Sequence, residues 1–134
     1  MLRAFRKSDI RMKCNKYTEP YVENHIELIS ACEKRTLEIN GAPVAILCFL
    51  NYNLDNYKGM FLISSDFNAT MIEELKESIE IIRKELAAER LETESIDCRE
   101  LNVWHRSLGF TLEGTKKRSF DGKDHNIWGI VWEQ

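Results

Sequence analysis

The stretch TLEINGAPVAILCFLNY, residues 36–52, constrains this chain more than any other. Asn40 and Gly41 both tolerate positive φ, which a tight type I′ hairpin turn demands. The first arm alternates, with Leu37 and Ile39 on one face. The second arm, Val44 to Leu50, is almost entirely apolar. A strand apolar on both sides belongs inside a sheet that is covered on both faces. Pro43 has no N–H and limits pairing beside the turn. The chain must therefore supply further strands and a cover on each side.

The cover is legible in TMIEELKESIEIIRKELAAER, residues 70–90. Ile72, Leu75, Ile79, Ile82 and Leu86 form one apolar stripe at helical spacing. Each such side chain contributes about 1.5–3 kcal/mol when fully buried, so this helix packs on a sheet. Thr70 with Glu73 reads as a capping box, and Glu80 with Lys84 as an i,i+4 ion pair on the wet side. Upstream, LRAF reads as a short strand, and Ser8 and Asp9 offer N-cap oxygens for a helical turn. Thr18 and Pro20 suit the start of a helix on which Val22, Ile26 and Ile29 share a face, with His25 beside it as a surface residue.

Beyond Leu50, LDNYKG reads as a polar loop and MFLISS as a third strand. LETESI is a short strand. Asp97 with Glu100 reads as a second capping box, opening a helix from about Cys98 to Ser107 that Gly109 stops. FTLEGTKKRSF and NIWGIVW are two final strands, with DGKD as the hairpin signal between them. Trp104, Trp128 and Trp132 read as core or sheet-face residues. Lys116, Lys117, Arg118 and Lys123 form a basic, solvated hairpin tip. The 134 residues fit one domain, 1–134, and 43% hydrophobic content is enough for a core without staples.

Composition excludes several classes. A net charge of −3 gives no broad nucleic-acid footprint. No segment is long and apolar enough to span a membrane, and no secretory h-region precedes the first strand. Cys14, Cys32, Cys48 and Cys98 lack C-x-x-C spacing, which implies reduced thiols and a cytoplasmic location. No Cys/His cluster has zinc spacing, so no metal is expected.

The element order is strand, helix, helix, three strands, helix, strand, helix, two strands. With the helix ending HRSLGF and the strand entering EGT, it resembles the GCN5-related N-acetyltransferases from Thr36 onward. The resemblance implies an α/β fold with a mixed, mostly antiparallel sheet of about six or seven strands and helices on both faces. It also implies acetyl transfer from acetyl-CoA to an amine. In that family a glycine-rich loop presents backbone N–H groups to the acetyl-CoA pyrophosphate at a helix N-terminus, where the dipole favours anions. Here the loop reads SSDFNAT, with Ser64 at the basic or amide position, Phe67 at the first glycine and Ala69 at the second small position. Cofactor contacts thus fall on Ser64 and on the amides of Asn68, Ala69 and Thr70. The family tyrosine that protonates the departing thiolate aligns with His105, which would act as an imidazolium.

A looser likeness is to internal virion proteins of podoviruses. These share the strand ending in Ser-Asp, the long charged helix, the short helix with His and a hairpin containing Asp-Gly. That likeness implies a non-catalytic protein acting through a protein partner, in host cytoplasm or virion.

Overall fold

The computed structural model describes residues 1–19 and 26–132. Seven strands form one sheet in the order β1-β2-β3-β4-β5-β7-β6. They are β1 (Leu2–Ala4), β2 (Glu33–Ile39), β3 (Ala42–Asn53), β4 (Asn56–Ile63), β5 (Arg90–Ile96), β6 (Thr111–Lys116) and β7 (His125–Val131). All neighbours pair antiparallel except β4 and β5, which are parallel. The helices are α1 (Ile26–Ala31), α2 (Ile72–Leu86) and α3 (Arg99–Ser107). The parallel pair follows from α2, which carries the chain back across the sheet between β4 and β5.

The Asn40-Gly41 turn forms as expected, with φ of 54° and 79°. Val44 to Phe49 are buried on both faces of β3. One face meets α2 and α3, where Leu47, Phe49, Leu75, Ile79, Ile82, Leu91 and Trp128 share a core. The other carries a smaller cluster of Ile29, Ile46, Cys48 and Leu62 under α1. The expected stripe on α2 is present. Gly109 stops α3 at φ 96°, and the Phe110 N–H closes the helix on the His105 carbonyl at 3.0 Å.

Several local readings are corrected. LDNYKG is not a loop. β3 runs on to Asn53, exposed Leu54 turns at φ 51°, and β4 begins at Asn56. Asn68, not Thr70, caps the entry to α2, its side chain accepting the Thr70 N–H at 3.0 Å. The Asp97–Glu100 box does not form, because Asp97 accepts Asn102 and Asn126 side-chain N–H groups instead, each at 3.0 Å. Glu80 pairs with Arg83 at 2.7 Å rather than with Lys84. Asp9 caps the 3-10 turn at Lys7–Arg11 from within, reaching back to the Arg6 N–H at 2.8 Å. The expected helix start at Pro20, with Val22 and His25, lies outside the described residues.

Candidate functional site

Strands β4 and β5 pair only through Asn56↔Arg90, Tyr57↔Leu91 and Lys58↔Glu92. Beyond Lys58 and Glu92 they have no ladder, although β4 continues to Ile63 and β5 to Ile96. The end of β4 is bordered instead by the segment before α1. There Asn15 N–H donates to the Ile63 carbonyl at 2.8 Å, and the Ile63 N–H donates to Thr18 Oγ1 at 3.3 Å. Strand edges alternate every residue, so Phe61 points its N–H and C=O the same way as Ile63, into the gap. A cleft of about 810 Å³ occupies this splay.

The cleft is lined from both faces of the sheet. On the α2–α3 face stand Phe61, Phe67, Ile72, Leu101, Trp104 and His105. On the α1 face stand Cys48, Lys58, Met60, Glu92, Glu94 and Lys116. Two-residue periodicity produces this division, since successive side chains of one strand point to opposite faces. The carboxylates here are paired: Glu92 with Arg90 at 3.0 Å, and Glu94 with Lys116 at 2.9 Å and with His125 Nδ1 at 3.1 Å. Tyr17 Oη donates to Glu100, tying the N-terminal segment to the first turn of α3. That bond, and burial, push the Tyr17 hydroxyl up to about 12.

At the vertex sit Gly59 and Thr93. A Cβ on Gly59 would lie 2.9 Å from Leu91 Cδ1 and 3.2 Å from Thr93 Cγ2, so glycine permits the close approach of β4 and β5. Thr93 is 5% exposed, and among the described residues its hydroxyl is the buried side-chain polar atom without a hydrogen-bond partner. Neither residue was singled out in the sequence. The available signal was LETESI, where Thr93 and Ser95 occupy the inward register set by Leu91.

The expected site residues are brought to this cleft unequally. His105 reaches it, but the expected imidazolium acid is corrected. The ring lies among Trp104, Phe110 and Trp128 at centroid distances of 5.0, 5.5 and 5.0 Å. Its Nδ1 sits 2.8 Å from the Leu101 carbonyl, which only accepts, so Nδ1 carries the proton. Burial lowers its pKa to about 4. The resting ring is neutral, and its one N–H is already engaged.

In the loop, Ser64 turns inward. Its N–H donates to Val44 O at 2.9 Å, its carbonyl accepts the Phe67 N–H at 3.1 Å, and its Oγ accepts the Asp66 N–H at 3.0 Å. Ser64 is buried with its N–H and carbonyl engaged, so only its hydroxyl proton, which has no acceptor among the described residues, is left to offer a phosphate. The Thr70 amide is likewise taken by Asn68 Oδ1. The amides of Asn68 and Ala69 have no acceptor among the described residues, and both residues line the cleft. Phe67 keeps a negative φ, so the loop does not adopt a glycine-only conformation, and its half-buried ring packs on the core. No group of three or more His, Cys, Asp or Glu suited to a metal occurs among the described residues.

No family model and no curated protein sequence matches the chain. Solved structures do. An acetyltransferase from Bacillus subtilis in complex with CoA superposes with a TM-score of 0.76 at 10% identity, covering 99% of this chain and 97% of its own. A GNAT family acetyltransferase from Elizabethkingia anophelis with acetyl-CoA bound gives 0.73 at 11% identity, covering 86% of each chain. A mutant spermidine N-acetyltransferase from Vibrio cholerae gives 0.71 at 14% identity, covering 98% of this chain and 92% of its own. The strand order, the splayed parallel pair and these superpositions establish that the chain has the GCN5-related N-acetyltransferase fold.

Proposed function

We propose that the protein transfers an acyl group from a CoA thioester to an amine. One observation carries this reading: the cleft at the β4–β5 splay opens the sheet from face to face, so two reactants can meet inside it from opposite sides. The fit to a CoA thioester is good at the reactive end. Phe61 N–H and C=O face the gap without a ladder partner, and the Thr93 hydroxyl is unpaired. At the phosphate end the amides of Asn68 and Ala69 at the entry to α2 would hold the anion. Bound there, the thioester supplies an activated acyl group.

The chain's own residues do the rest. Phe61, Ile72, Leu101 and Trp104 wall the α2–α3 side with apolar surface that excludes water. Glu92 and Glu94 face the opposite mouth and favour an approaching ammonium group, while Lys58 and Lys116 limit that attraction. The two parts supplied by remote elements, α2's entry and the β5 edge, hold the reactants in fixed orientation.

A second reading has its own support. Most amides of the 64–71 loop bond within the loop or to its neighbours, and Phe67 places a ring there. That supports a non-catalytic protein acting by protein contact. A virion-associated role rests on the sequence resemblance alone. Incubation with acetyl-CoA and a panel of primary amines, with released thiol as the readout, separates the two. Thiol release that depends on both reactants is expected. None with any amine, together with no acetyl-CoA binding at millimolar concentration, overturns the acyltransferase reading.

A further inference from the structure

We infer that the Thr93 hydroxyl donates a hydrogen bond to the acyl carbonyl oxygen of the ligand in this cleft. The inference rests on the acyl-transfer reading and deepens it. Thr93 follows Glu92, the last β5 residue paired with β4, and so stands where the strands part. It is 5% exposed, lines the cleft, and its Oγ1 has no partner. Ser95 is the instructive contrast. It lies two residues on, on the same face and equally buried, yet its Oγ accepts the Trp128 indole N–H at 3.0 Å. Both residues line the cleft, and of the two only the Thr93 hydroxyl is left without a partner among the described residues.

The methyl group explains how the hydroxyl is oriented. Thr93 Cγ2 packs toward Gly59, 3.2 Å from where a Cβ would stand. A β-branched side chain in a strand is stiff at χ1, so packing the methyl fixes the hydroxyl. The surroundings then decide what it can bond. Phe61, Leu101 and Trp104 present mainly apolar surface, and the His105 N–H is bound to Leu101. An unpaired donor in such a dry setting suits an oxygen on which negative charge grows. During acyl transfer that oxygen is the carbonyl. As nitrogen bonds to the carbonyl carbon, electrons move onto oxygen. They return as the carbon–sulfur bond breaks, and the proton lost by nitrogen neutralises the thiolate.

Thr93→Val removes the hydroxyl at nearly constant volume, and Thr93→Ser keeps it. Three readouts apply: the melting temperature without ligand, the calorimetric Kd for CoA and for acetyl-CoA, and the acyl-transfer rate. Thr93→Val is expected to melt higher than the parent, because replacing an unpaired buried hydroxyl by methyl removes its desolvation cost. Thr93→Ser is not. The parent and Thr93→Ser should prefer acetyl-CoA over CoA by about tenfold, the worth of one such bond. Thr93→Val should lose that preference with CoA affinity unchanged, and lose about 10²-fold in rate. Retention of the preference and rate by Thr93→Val overturns the assignment while leaving the acyl-transfer reading intact. Failure of the parent to bind either ligand overturns both.

Discussion

The imidazole of His105 lies flat on the indole of Trp128, with centroids 5.0 Å apart and planes 8° from parallel. Burial in this stack lowers the ring's pKa to about 4 from an ordinary 6.5. The unfolded chain takes up that proton below about pH 6.5, and the folded chain only near the lower value. The contribution is therefore full above the unfolded value and is lost as pH falls from 6.5 to about 4. It amounts to about 3 kcal/mol for the whole window. His105→Phe should flatten stability across that window, read by denaturant unfolding at a series of pH values. An unchanged slope would show that the ring is not desolvated.

A second acid-sensitive element lies at the opposite edge. Arg3 grips Asp9 through two bonds of 2.9 and 2.8 Å, and Thr36 Oγ1 adds a third at 2.8 Å. The Arg3 guanidinium holds the Asp9 carboxyl well below the usual carboxylate range. This contribution is present above pH 3.8 and is lost at lower pH, below most of the His105 window. Asp9→Asn leaves Arg3 with only Glu38, at 3.3 Å, as an ionic partner. A loss of about 3–5 kcal/mol is expected from urea denaturation at neutral pH. A loss below about 1 kcal/mol would mean the pair behaves as a surface salt bridge.

The hairpin makes a simpler prediction. Gly41 holds φ 79°, and a Cβ there would meet nothing within 4 Å. The cost of Gly41→Val is thus backbone strain rather than collision. It should be about 1–3 kcal/mol. An unchanged melting temperature would remove the I′ turn.

Cofactor affinity follows from the loop. Two open amides, at Asn68 and Ala69, replace the fuller set that a glycine-rich loop presents. No lysine or arginine occurs between Ser64 and Met71, and Asp66 adds a negative charge. Each missing charge-assisted bond is worth about 1.5–3 kcal/mol. Acetyl-CoA should therefore bind with a Kd above the micromolar range, read by calorimetry at moderate salt. Micromolar binding would show that groups outside this loop hold the phosphates.

The sequence by itself determined most of the strands, the Asn40-Gly41 turn and the long helix, because each rests on local rules, whereas the β3–β4 turn at Leu54 lay hidden in what reads as a polar loop. Asn40-Gly41 needs only positive φ, the α2 stripe needs only helical period, and Gly109 needs only an αL stop. Where a polar side chain has several partners in reach, local rules misassigned it. Thr70, Asp97 and Glu80 each have a plausible neighbour in sequence, yet Asn68, Asn126 with Asn102, and Arg83 hold the actual bonds. The site was legible only in outline. His105 and the 64–70 loop were found from a pattern, but their states depend on groups far along the chain. Trp128 desolvates the histidine, and Lys13 and Val44 take up loop amides. Thr93 and Gly59 were decided by tertiary structure alone. Nothing in LETESI or KGMF says that β4 and β5 pair for three residues and then part. That parting leaves one hydroxyl dry and unpaired, and it exists only once seven strands, brought together from the whole chain, close into a single sheet.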